Sequence, residues 1–109
     1  MEITQQEVRP GTVVITLSGK LLLGAEGGEM VKVVEERLAA GTRRFIFDLK
    51  GVTAIDSTGI GRFIASFNKI MGKGGEMRMA GASGHVLDSF RISLLDKVFK
   101  FYGSVEEAL

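Results

Sequence analysis

The amino-acid sequence predicts an α/β fold, a mixed sheet of four to five strands packed with about four helices. Three observations carry this. Phe45-Ile46-Phe47-Asp48-Leu49 is an almost continuously apolar run of the kind found in a sheet interior. Two segments that flank it, Met30 to Leu38 and Ile60 to Met71, carry apolar residues at three- and four-residue spacing, the period of a helix lying on a sheet. Strand and helix signals alternate along the chain, which argues for parallel strands joined by right-handed crossovers.

Taken in order, Val13-Val14-Ile15-Thr16-Leu17 is rich in β-branched residues and bounded by Pro10-Gly11 and Ser18-Gly19, so it reads as a strand with residues 2 to 8 as its hairpin partner. Gly24 to Gly28 is a glycine-rich entry to a helix with apolar positions Met30, Val33, Val34 and Leu38, closed by Gly41. The Phe45 to Leu49 strand follows, with Asp48 near its end. Next comes the clearest helix of the chain: Ile60, Phe63, Ile64, Phe67, Ile70 and Met71 form its expected core face, with Arg62, Ser66, Asn68 and Lys69 on the other side. Gly72 and Gly74-Gly75 end it, and Glu76 to Ala80 alternates into a further strand. Ser83 to Phe90 is expected as a short helix and Val98 to Phe101 as a short strand. Ser104 opens a terminal helix, where Ser104 and Glu107 have the spacing of a capping box.

Composition narrows the function. At 109 residues the chain is expected to form one domain, residues 1-109, large enough to bury roughly two thirds of its unfolded surface without disulfides or metals. The absence of cysteine removes disulfide frameworks, thiolate zinc sites and cysteine nucleophiles together. The single histidine, His85, follows Ser83-Gly84 at a helix start, where a solvated or capping role is expected, and no metal site can be argued from it. Net charge is +1 and Arg43-Arg44 is the only adjacent arginine pair, which points away from nucleic acid. The N-terminus has no signal-like core and no apolar run approaches the roughly 20 residues of a membrane span, so a cytoplasmic protein is expected.

The segment Ile55-Asp56-Ser57-Thr58-Gly59-Ile60-Gly61 places a hydroxyl pair at the mouth of a helix directly after a strand. Free N–H groups and the positive end of the helix dipole stabilise an anion there, so Ser57 or Thr58 is a natural place for a reversible phosphate. The plain alternative is an N-cap, since Asp and Ser are common caps whatever a helix does. Gly59 and Gly61 carry no side chain to obstruct a second protein, which suits the first turn to close docking. Gly59-Ile60-Gly61 lacks the longer loop and Lys-Ser/Thr pair of a phosphate-binding P-loop, and Gly24-Ala25-Glu26-Gly27-Gly28 lacks a lysine, leaving a turn there with a nucleotide site as its alternative. Ser57 has no histidine that sequence can bring to it as a base, and Asp56 suits a cap that orients the Ser57 hydroxyl. No catalytic residue and no cofactor is therefore expected: the chain reads as a substrate of modification, not as an enzyme.

Ile55-Asp56-Ser57-Thr58-Gly59-Ile60-Gly61, preceded by the Phe45 to Leu49 strand and followed by Gly74-Gly75 and Glu76-Met77-Arg78-Met79, resembles the STAS domain family, most of all its small bacterial anti-sigma factor antagonists. The likeness runs through the closing Phe101-Tyr102-Gly103-Ser104-Val105-Glu106-Glu107-Ala108-Leu109. It implies the same mixed α/β fold and a partner, an anti-sigma factor with serine kinase activity, that phosphorylates the serine after the motif aspartate, here Ser57. It also implies a partner-binding surface at Asp56, Ser57, Thr58, Gly59, Ile60 and Gly61, a phosphatase that resets the switch, and a monomer or weak dimer. One departure stands out: the family's Gly-x-Leu-Asp pattern after the second strand is Gly19-Lys20-Leu21-Leu22 here, so Leu22 replaces a carboxylate. Two alternatives accompany this reading. One is a scaffold assembled with other STAS proteins and modified at Thr58, and the other is a small-ligand or nucleotide-binding domain using Gly24 to Gly28.

Overall fold

The structure is a computed structural model that describes residues 1–22 and 28–109. Strands β1 (Glu2–Arg9) and β2 (Thr12–Leu21) form the expected antiparallel hairpin, turned at Gly11, whose φ of 78° suits a residue without Cβ. Helix α1 (Gly28–Ala39) then leads to β3 (Arg44–Ile55), helix α2 (Ser57–Gly72) to β4 (Glu76–Ala80), and helix α3 (Gly84–Ile92) with a 3₁₀ turn (Leu95–Lys97) to β5 (Lys100–Tyr102). A last short helix, α4 (Val105–Ala108), closes the chain. The sheet has five strands in the order β1-β2-β3-β4-β5, antiparallel only at β1–β2, so the expected mixed α/β fold is the one adopted.

Strand periodicity sorts the side chains between two faces. One face contributes Val13, Ile15, Leu17, Phe45, Phe47, Leu49, Met77 and Met79 to the main core, where they meet Met30, Val34 and Leu38 of α1, Phe63 and Ile70 of α2, and Val86 and Phe90 of α3. Phe47, Phe63 and Phe90 sit edge to face with centroids 5.4 and 5.5 Å apart, a geometry that adds about 1 kcal/mol per pair beyond area burial. The opposite face is covered only where α4 lies: Val14, Ile46 and Ala80 pack there with Ala108.

Several elements differ from the sequence expectation for identifiable reasons. Strand β3 runs to Ile55, so Asp48 lies mid-strand and not near its end. The fifth strand is Lys100–Tyr102 in place of Val98 to Phe101, because the 3₁₀ turn uses Leu95–Lys97 and leaves Val98 exposed. Ser104 Oγ accepts the Glu107 N–H at 3.2 Å as expected, but the Glu107 carboxylate takes the Gly103 N–H, not that of Ser104, so the capping box closes one residue early. Ile64 and Met71, expected in the core face of α2, are exposed, whereas Ser66, expected outside, is fully buried. The phenylalanines decide this: Phe63 meets Phe47 of the sheet and Phe90 of α3, Phe67 meets Phe99 just ahead of β5, and the rotation this fixes about the helix axis carries Ile64 outward. Of the glycine-rich turn from Gly24 to Gly28, only Gly28 lies within the described residues, as the first residue of α1.

Candidate functional site

The hydroxyl pair sits where strand β3 hands over to α2. Asp56 adopts an extended conformation (φ −116°, ψ −176°) and its Oδ1 accepts the Gly59 N–H at 2.9 Å, which makes it the N-cap of α2. Its carbonyl accepts the Ile60 N–H at 3.0 Å. Of the four N–H groups that the helix start leaves open, that of Gly59 is taken by Asp56 Oδ1 and that of Asp56 by the Leu21 carbonyl, and those of Ser57 and Thr58 remain without a hydrogen-bond partner among the described residues. The site therefore offers two backbone donors at the positive end of a 16-residue helix, beside an exposed Ser57 side chain and a half-buried Thr58. The first turn of α2 after the cap holds no acidic side chain, and the Asp56 carboxylate beside it is engaged by the Gly59 N–H.

The mouth of α2 is locked to the sheet from below. The Asp56 N–H donates to the Leu21 carbonyl at 3.3 Å, and Leu21 pairs with Ile55 across β2 and β3. Gly59 is buried against the same point, where a Cβ would lie 2.4 Å from the Leu21 oxygen and 2.8 Å from Ile55 Cγ1. The missing side chain at Gly59 thus serves packing inside the chain, contrary to the expectation that it clears the way for a second protein. Gly61 differs: it is exposed and a Cβ there would meet nothing within 4 Å. Ile60 is partly buried against the main core.

Ser57, Gly61, Ile64, Asn68 and Met71 recur at alternating four- and three-residue spacing and are all exposed, so they form one stripe along α2 that begins at the candidate phosphorylation site. Ile64 and Met71 are 39% and 50% exposed, which places two large apolar side chains on that stripe in water. Leu22, at the end of β2 next to the Leu21 carbonyl that holds Asp56, is 41% exposed and adds a third at the same edge. Sequence reasoning missed this stripe because it assigned every apolar position of α2 to the core. A helix with six large apolar positions in 16 residues has more than one face can bury, and that surplus was the available signal.

Asp48 lies on the sheet face away from α1, α2 and α3, where Val105 of α4 lines the same pocket, and is not brought near Ser57. His85 is exposed in the first turn of α3. Among the described residues no cluster of His, Cys, Asp or Glu could hold a metal ion, and no helix is long and apolar enough to cross a membrane.

These features define a small α/β domain that holds one helix mouth rigidly against its sheet and presents it to solvent. The chain belongs to the STAS domain family, whose model matches residues 4–108. Solved structures have the same fold. A candidate anti-sigma factor antagonist from Thermotoga maritima is similar with a TM-score of 0.87 at 20% identity, over 97% of this chain and 90% of that one. The Bacillus cell fate determinant SpoIIAA, an anti-sigma factor antagonist, is similar in its unphosphorylated form (TM-score 0.77, 18% identity, 98% of this chain and 93% of that one). Its phosphorylated form gives a TM-score of 0.76 at 19% identity, over 96% of this chain and 95% of that one. A sulfate transporter family protein from Wolinella succinogenes also matches, with a TM-score of 0.74 at 14% identity over 95% of this chain and 86% of that one. At these identities the likeness is one of fold.

Proposed function

We propose that this protein is an anti-sigma factor antagonist that binds an anti-sigma factor through the mouth and exposed stripe of α2, and that phosphorylation of Ser57 by that partner releases it. The observation that carries this is the placement of the Ser57 hydroxyl: exposed, at the first residue of α2, beside two open backbone donors, and in line with Gly61, Ile64 and Met71. Thr58 is half-buried and Ser57 exposed, so Ser57 is the better acceptor for a kinase.

In the unmodified state the partner covers Asp56, Ser57, Thr58, Gly61 and the edge of Ile60, with Gly61 permitting close approach and Ile64 and Met71 supplying apolar contact. Gly59 acts from beneath by fixing the helix start. A phosphate brings about −1.5 to −2 charges to the head of that surface, and desolvating them against an unmatched partner costs several kcal/mol. The same phosphate leaves the fold intact, since a helix N-terminus tolerates negative charge. A phosphatase returns the protein to its binding form. In this scheme the protein is acted upon and has no reaction of its own, so it needs neither cofactor nor metal, and a monomer or weak dimer suffices.

The test is affinity capture with wild-type and Ser57→Asp baits, followed by mass spectrometry and by incubation of the retained protein with ATP. A kinase-like anti-sigma factor held by wild type, lost by the Asp variant and able to phosphorylate Ser57 is the expected result. Retention of the same STAS proteins by both baits would replace this reading with the scaffold one.

A further inference from the structure

On the sheet face away from the three long helices, β1, β2 and β3 set Thr4, Thr16 and Asp48 in register with one another, a lateral row of two hydroxyls and a carboxylate at the spacing of neighbouring strands. Helix α4 covers the next part of this face and its Val105 forms one wall of a pocket of about 360 Å³, whose floor and sides include Thr4, Gln6, Val14, Thr16 and Asp48. That volume is in the range of small-molecule sites.

The carboxylate in this pocket is held by a local irregularity in the central strand. Between Thr16↔Asp48 and Ser18↔Gly51, β2 advances two residues while β3 advances three, so a bulge falls directly after Asp48. Bulges in parallel pairs are uncommon and re-aim side chains near them. Here the bulge turns the Lys50 N–H back onto Asp48 Oδ1 at 3.1 Å. Arg44, Arg78 and Lys100 all gather on Glu76, and among the described residues no ion pair reaches Asp48. The hydroxyls of Thr4 and Thr16 and the amide of Gln6 likewise make no hydrogen bond among the described residues.

We infer that this pocket is a binding site for a small hydroxylated amine, whose ammonium pairs with Asp48 and whose hydroxyls meet Thr4, Thr16 and Gln6. The Lys50 N–H takes one lone pair of Oδ1, which leaves Oδ2 fully open to the ammonium. The site lies on the other face of the sheet from Ser57 and shares no residue with the proposed phosphorylation site.

The experiment is a titration of ¹⁵N-labelled protein with glucosamine, with glucose as its uncharged counterpart. Saturable shifts at the amides of Thr4, Thr16, Asp48 and Val105 are expected, with affinity at least tenfold weaker for glucose and at least tenfold weaker for the Asp48→Asn protein. Should Asp48→Asn fail to fold, Thr16→Val is titrated in its place and is expected to weaken glucosamine severalfold. Absence of saturable shifts with glucosamine, equal binding of glucose, or full affinity in the folded variant would each overturn the inference.

Discussion

Replacing Gly59 by alanine isolates what holds the mouth of α2 in place. The added methyl would sit 2.4 Å from the Leu21 carbonyl oxygen and 2.8 Å from Ile55 Cγ1, and the first of these is backbone in the interior of the sheet. Neither can swing aside as the end of a flexible chain could, so β2 and α2 must separate. Overpacking of this kind costs about 3 kcal/mol, and alanine returns about 1 kcal/mol of helix propensity, leaving a net loss of about 2 kcal/mol. Gly61→Ala gains the same propensity with nothing in its way, so it should stabilise by about 0.5–1 kcal/mol. The two alanines, two residues apart on one helix, are therefore expected to differ by about 3 kcal/mol in opposite directions from wild type. Equilibrium urea unfolding reads this directly: at a slope of about 1.5 kcal/mol per molar, their midpoints separate by about 2 M. A Gly59→Ala protein within about 0.5 kcal/mol of wild type would refute the claim that this glycine is required by packing against β2.

Other consequences follow from the same structure. Ser66 is fully buried in α2 and its hydroxyl has no hydrogen-bond partner among the described residues, so Ser66→Ala should stabilise by about 1 kcal/mol in thermal or urea unfolding. Ile64→Lys should leave stability within about 1 kcal/mol, because the side chain is already partly in water, while weakening binding to the anti-sigma factor at least tenfold by titration calorimetry. Burial of Glu76 opposes its ionisation, but the Arg78 hydrogen bond and the charges of Arg78, Arg44 and Lys100 prevail and lower its pKa. Such a group contributes stability that is complete above the ordinary carboxylate range and is lost as pH falls through the lowered folded value. Glu76→Gln should accordingly cost up to about 1 kcal/mol near neutral pH, with the difference from wild type closing in acid.

Much of this architecture was legible because sequence period and structural face coincide. Val13 to Leu17 and Glu76 to Ala80 are strands whose alternate residues enter the main core, and β4 has the bounds its alternation predicts. The extension of β3 beyond Leu49 was hidden by Lys50-Gly51, residues that look like a loop and turn out to lie in a bulged strand. Val98 misled for the opposite reason, being β-branched and apolar yet exposed after a 3₁₀ turn. At the site, Asp56 as N-cap could be read from residue type and spacing alone, since capping is a local interaction. The distinct roles of Gly59 and Gly61 could not, because they depend on which of the two faces Leu21, a residue far off in sequence. The same rotation of α2 that buries Gly59 sets Ile64 and Met71 in line with Ser57 along the exposed side of the helix.

The proposed switch is tested most directly by titrating the captured anti-sigma factor against wild-type and Ser57→Asp proteins, with circular dichroism of both as the control for folding. The two should unfold at closely similar temperatures, since Ser57 is exposed at a helix mouth that tolerates negative charge. Binding should weaken about a hundredfold in the Asp variant, a loss of about 3 kcal/mol. Equal affinity of the two folded proteins would contradict the assignment of Ser57 to the docking surface.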